Sequence, residues 1–262
     1  MNVKKYFRKI FDILGYRVKL IKKPKKVHVK NLRTRGIIFE MIGTSGIGKT
    51  TFHSKASKVL NYNWNLDYYK TNKQQSIKSN SFLDEFYLLN ISLTISKFNN
   101  NERDFDQNMR LLNFMTVSAK NDRYLNLSGL LDDSGWFLDD SFCHNFTPHI
   151  VEIIEKKLIS DEVLKKFFTG RKLLFLEAPV EYIIENLKKR RSELKGALND
   201  YISIHGEERV RKFVQEKQNH CRKLAELSSQ FGACSWNLDL SEGDDKNLKK
   251  IREIEAEIIK NN

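Results

Sequence analysis

Cysteine is scarce in these 262 residues, and Cys143, Cys221 and Cys234 are odd in number, far apart and outside any CxxC pair. That spacing argues against a disulfide frame or a thiolate zinc site and fits reduced thiols. The Cys143–His144 and His220–Cys221 neighbours leave metal binding a minor alternative. Long apolar runs are missing too. No stretch of about 18 apolar residues exists, so a membrane-spanning helix is not expected. The basic N-terminus also lacks the uninterrupted apolar stretch and small-residue cleavage site of a secretory signal. A cytoplasmic location is the expectation.

Acid is nearly absent from residues 1–35, which hold thirteen Lys or Arg against the single Asp12 and so carry +12 of the net +13. The remainder is close to neutral. The chain therefore divides into a basic arm (1–35) and a body (36–262). Within the arm, Val3, Tyr6, Phe7, Ile10, Phe11 and Leu14 recur at steps of three and four, the signature of one helical face. Lys4, Lys5, Arg8 and Lys9 occupy the other, and Gly15 is a stop signal. Such an arm suits an anionic membrane surface, as a peripheral contact on its inner face. It also suits nucleic-acid phosphates or packing against its own body. The ordered apolar face favours the membrane over nucleic acid, which needs charge and no such face.

The body alternates apolar runs with amphipathic stretches. "GIIFEMIG" (36–43), "NWNLDYY" (64–70), "NLSGLLDD" (126–133), "KLLFLEAP" (172–179) and "CSWNLDL" (234–240) read as five strands. Helical spacing follows the first, covers 81–98 and 103–119, and returns after the fourth and fifth. Val210, Phe213, Val214, Lys217, Cys221 and Leu224 mark one long helix. Strands separated by helices imply an α/β fold, a parallel sheet covered on both faces.

Between the first strand and its helix lies "GTSGIGKTT", Gly43 to Thr51, which satisfies the phosphate-loop pattern GxxxxGK[ST]. Glycines let backbone N–H groups turn inward around phosphate oxygens. The following helix adds unpaired N–H groups and a partial positive charge. Gly43, Thr44, Ser45, Gly46, Ile47, Gly48, Lys49, Thr50 and Thr51 are thus the candidate nucleotide contacts. Lys49 is expected on the β- and γ-phosphates and the Thr50 hydroxyl on Mg²⁺. No NKxD base reader follows a strand, as a GTPase needs. The LSG of 127–129 is fused to a strand and unlike the LSGGQ of transport ATPases. Small-molecule phosphotransfer from ATP remains.

The loop, together with "KLLFLEAPVEYIIENLKKRRSELKG" (172–196) and the closing "NLDLSEGDDKNLKKIREI", resembles the P-loop nucleoside and nucleotide kinases of the thymidylate-kinase-like group. The resemblance runs from about Gly36 to the C-terminus. It implies a three-layer P-loop NTPase with a five-stranded parallel sheet, ATP and Mg²⁺ as ligands, and a lid carrying Arg190 and Arg191. The chain departs from that group where Asp132-Asp133-Ser134 stands in place of the Asp-Arg that ends the third strand.

Asp132 and Asp133 close an apolar run at the sheet edge where ligands sit. One is the candidate base for an acceptor hydroxyl, and Asp132 also a candidate Mg²⁺ ligand. Asp67 is the runner-up base. Asp139-Asp140 reads as a surface turn, and His53 as a packing or surface residue. Arg190 and Arg191 are candidates to stabilise the transferred phosphoryl group. The arm is similar to the N-termini of bacterial surface-polysaccharide enzymes, which implies a glycan or lipid-linked acceptor. The other function class open to the sequence is an NTPase switch or a nucleic-acid-associated ATPase.

Overall fold

A computed structural model describes residues 37–66, 81–97, 105–128, 135–193 and 201–261. The basic arm, Asp67 and the Asp132–Asp133 pair lie outside the described residues.

Four strands form one parallel sheet in the order β2-β1-β3-β4. They are β1 (Ile38–Ile42), β2 (Trp136–Leu138), β3 (Arg171–Glu177) and β4 (Cys234–Asp239). The expected five-stranded sheet is therefore corrected to four among the described residues. Two of the five expected strands account for the difference. Around 64–70 only Asn65 pairs, as an isolated parallel bridge to Trp136, with 67–70 outside the described residues. The nearby backbone is instead gathered by the buried Glu255 carboxylate, which accepts from Asn61 N, Tyr62 N and Trp64 Nε1.

The strand expected at 126–133 is corrected over 126–128, while 129–133 lie outside the described residues. Residues 126–128 are the last turn of the long helix α3 (Phe105–Ser128), which follows α2 (Ser81–Ser96). The strand that pairs with β1 begins at Trp136, eight residues after that helix ends, with Ile38 opposite Trp136 and Glu40 opposite Leu138. Leu125, on the helix, is instead buried in a small cluster with Ile38, Trp136 and Leu138.

Helices cover both sheet faces. On one, α4 (Phe142–Glu155), α5 (Asp161–Phe168) and α8 (Glu207–Ser229) join α2 and α3 around Ile42, Leu173 and Phe175. On the other, α1 (Lys49–Val59), α6 (Val180–Glu193) and α9 (Asp244–Lys260) pack over Phe39, Met41, Leu174, Leu176 and Leu238, with short α7 (Tyr201–His205) beside α8. The alternation of Phe39/Met41 with Ile42 follows from the period of two in a strand buried on both faces.

A charged knot pins α3 to the sheet. Arg171 at the start of β3 is fully buried between Glu40 of β1 and Asp122 of α3. Its Nη2 donates to Asp122 Oδ2 at 2.6 Å, its Nε to Phe167 O at 3.0 Å, and its guanidinium stacks on the Phe167 ring. Tyr87 and Asn126 donate to the same Asp122 oxygen. Burial pushes the Asp122 carboxyl up to about 6 against the pull of Arg171. Hydrogen bonding of this density is what makes such charges tolerable without water.

Candidate functional site

The β1 chain leaves the sheet at Ile42 and turns at Gly43. A side chain there would press on Leu176 at 3.0 Å, so glycine lets the loop lie against β3. Gly46 has φ +84°, and a Cβ there would sit 2.6 Å from Leu187 of α6. Gly48, at φ +100°, caps α1 without a side-chain hydrogen bond, and the first turn of α1 carries no acid. The helix therefore turns unpaired N–H groups and the positive end of its dipole toward whatever the loop holds.

Lys49 arches back over the loop and donates to Thr44 O at 3.4 Å. The buried Thr44 Oγ1 has no hydrogen-bond partner. An orphaned hydroxyl, a glycine cradle and an uncapped helix start together fit a polyphosphate.

The loop forms one wall of a cleft of about 1110 Å³. Residues Ser45 to Thr51 line it, with the Ile47 side chain turned into the core, while Gly43 and Thr44 lie buried beneath. Thr50 and Thr51 are exposed. Arg190 of α6 lines the same cleft with Lys189. The side chain of Arg191 lies outside the described residues. His53 is not part of the cleft. It is buried, bonded through Nε2 to Phe137 O at 2.9 Å and packed on the Phe137 ring, the packing role expected of it.

The carboxylates of the cleft are Asp139, Asp140 and Asp244, the last paired with Lys55 of α1. Asp139 and Asp140 do form a bend, as expected, but a half-buried one that lines the cleft. They follow Leu138 directly, and the parallel register sets them level with the end of β1 beside the phosphate loop. Both are half-buried, and both raise the proton affinity of Lys49. Burial, and then repulsion from Lys217, outweigh that pull and bring the Lys49 ammonium down to about 8.

Lys217 is the cleft residue that sequence reasoning passed over. It lies on the face of α8 that carries Val214 and Cys221, both buried. A lysine on an apolar helix face was the available signal. Its Nζ donates to His144 O at 2.8 Å, and burial lowers its proton affinity. His144, half-buried in the same cleft, is held neutral chiefly by burial and then by the charges of Lys49 and Lys217. Facing these polar groups are Leu111, Phe114 and Met115 of α3 and Phe213 of α8.

No protein-family model matches this chain. No curated protein matches it either. Among solved structures it is similar to deoxyadenosine kinase from M. mycoides with bound dATP. The identity is 12% and the TM-score 0.41, over 83% of this chain and 96% of that one. Among the described residues no helix is long and apolar enough to cross a membrane, and no group of His, Cys, Asp or Glu is placed to hold a metal unaided.

Proposed function

We propose that the chain is an ATP-dependent phosphotransferase acting on a small acceptor that bears a hydroxyl or a phosphate. The observation that carries the reading is the pair Asp139–Asp140 standing beside the phosphate loop in one cleft. A nucleotide switch needs the loop and one acid that helps hold Mg²⁺. A phosphotransferase also needs a group to receive the acceptor's proton, next to where the γ-phosphate lies.

The roles follow from position. Loop amides and the start of α1 hold the phosphates, and Lys49 neutralises the β- and γ-oxygens. Thr50 and one of the two carboxylates are the residues that would hold Mg²⁺. When bound, that ion neutralises phosphate charge and aligns the chain of phosphates. The other carboxylate takes the proton of an acceptor hydroxyl. Arg190 approaches from the cleft mouth to meet charge spreading over the transferred group. Leu111, Phe114, Met115 and Phe213 hold the body of the acceptor and keep water from competing for the phosphoryl group.

Transfer of labelled γ-phosphate to a panel of nucleosides, nucleotides, sugars and lipid-linked glycans tests this. Asp139→Asn or Asp140→Asn is expected to lower transfer about 10²-fold or more while ATP binding stays within a few-fold. A chain that binds ATP but labels no acceptor, with both variants hydrolysing ATP as the parent does, refutes a phosphotransferase. The basic arm is proposed to hold the enzyme at an anionic membrane surface. Loss of sedimentation with anionic vesicles on deleting residues 1–35 is the expected result, and retained sedimentation refutes it.

A further inference from the structure

We infer that Lys217 is a second phosphoryl-contacting cation, delivered into the phosphate chamber by α8 and seated there by a proline in the neighbouring helix. The inference rests on the nucleotide-binding reading above and adds a residue outside its motif.

The seat comes first. Pro148 lies inside α4. Proline has no N–H, so the carbonyl four residues earlier loses its helical donor. That carbonyl belongs to His144, and Lys217 Nζ donates to it at 2.8 Å. Thr147, one residue before the proline, spends its hydroxyl proton on Cys143 O at 2.6 Å. A defect in one helix thereby fixes the ammonium of another over the cleft, at the cost of one bond and with two donors left on Nζ.

The electrostatics point the same way. Lys217 is close enough to Lys49 to be the strongest charge acting on it. Two ammonium groups brought together away from water repel and are each desolvated. Among the described residues no carboxylate forms an ion pair with either. A fold keeps such an arrangement when an anion of higher charge enters between the cations. Lys49 belongs to the loop and so to the β- and γ-oxygens. Lys217 comes from α8, outside the loop, and lines the same cleft as Asp139, Asp140 and His144.

In the step itself, the acceptor oxygen bonds to the γ-phosphorus and the bond from that phosphorus to the β–γ bridging oxygen breaks. The acceptor proton passes to a carboxylate of the Asp139–Asp140 pair, and ADP leaves with the electron pair. The equatorial γ-oxygens carry the spreading charge, and Lys217 donates to one of them.

The test compares Mg²⁺ complexes of ADP and of the β,γ-imido analogue of ATP by titration calorimetry. The proteins are the full chain and its Lys217→Met, Lys217→Arg and Pro148→Ala variants. Lys217→Met is expected to keep ADP affinity within about threefold and to lose about tenfold or more for the imido analogue, the size of one charge-assisted hydrogen bond. Lys217→Arg is expected to recover part of that loss. Pro148→Ala, which returns a helical donor to the His144 carbonyl, is expected to lie between. A purely structural lysine would leave the ratio of the two affinities unchanged, and an unchanged ratio in Lys217→Met overturns the inference. Failure of the parent chain to bind ADP instead removes the nucleotide reading, and this inference falls with it. Thermal melts identify any variant that has lost its fold, and Lys217→Arg alone then decides, since equal ratios in it and in the parent with no loss at Pro148→Ala also overturn the inference.

Discussion

Replacing Lys49 by methionine is expected to abolish nucleotide binding and at the same time to stabilise the empty protein at neutral pH. Lys49 sits in the folded chain with its ammonium brought from 10.5 down to about 8, by burial first and by Lys217 second. At about 1.36 kcal/mol per tenfold change, that is on the order of 3 kcal/mol of penalty on the charged form. Below pH 8 the lysine is charged in both folded and unfolded chains, so folding bears the whole penalty. Between about 8 and 10.5 the folded protein sheds the proton and the penalty fades. Above that range the group is neutral in both states and nothing remains. The parent should therefore gain stability relative to Lys49→Met as pH rises through this window. Methionine fills similar space without the charge, so up to about 3 kcal/mol should appear at pH 7, or roughly 6–12 °C in melting temperature for a chain of this size. Urea unfolding of both proteins at pH 7 and pH 10, without nucleotide, measures it. A variant less stable than the parent at pH 7 refutes the reasoning, because Lys49 would then be contributing to the fold and not to a ligand. ATP should reverse the order by stabilising only the parent.

Two further perturbations test the scaffold. Arg171→Met leaves the Glu40 and Asp122 carboxylates buried without their shared cation, and should cost about 3–5 kcal/mol in urea unfolding at pH 8. The loss should shrink toward pH 5, as the Asp122 carboxyl, raised to about 6 by burial, takes up a proton; a loss equal at the two pH values would show that charge is not its source. Gly46→Ala places a methyl against Leu187 at a φ of +84°. A penalty of about 1–3 kcal/mol is expected from the left-handed backbone and the contact, together with weakened ATP binding. Undiminished nucleotide affinity would mean that the loop tolerates a different path around the phosphate.

The phosphate loop was legible because its chemistry is local. Gly43, Gly46, Gly48, Lys49 and Thr50 act within one turn of chain, and the strand before and helix after them are set by short-range periodicity. The strands at 38–42, 171–177 and 234–239 were legible for the same reason, each being an apolar run with turn residues at its ends. The acid pair was not. "NLSGLLDD" has the better apolar run, whereas β2 is only Trp136–Leu138. Three residues carry too little pattern to announce a strand. What makes them one is pairing with β1 and the closing of Leu125 over Trp136, contacts between segments far apart in sequence. That pairing is what brings Asp139 and Asp140 to the phosphate loop. Lys217 was hidden in a different way. Its spacing in α8 is correct for a core position, and its charge becomes useful only because Pro148, on another helix, leaves the His144 carbonyl free to hold it. The sequence by itself determined the glycine loop and helix start proposed to hold phosphate, since these need only local chain. Only the tertiary structure decided which acid and which second base stand beside it, because those side chains meet across the sheet edge and between helices.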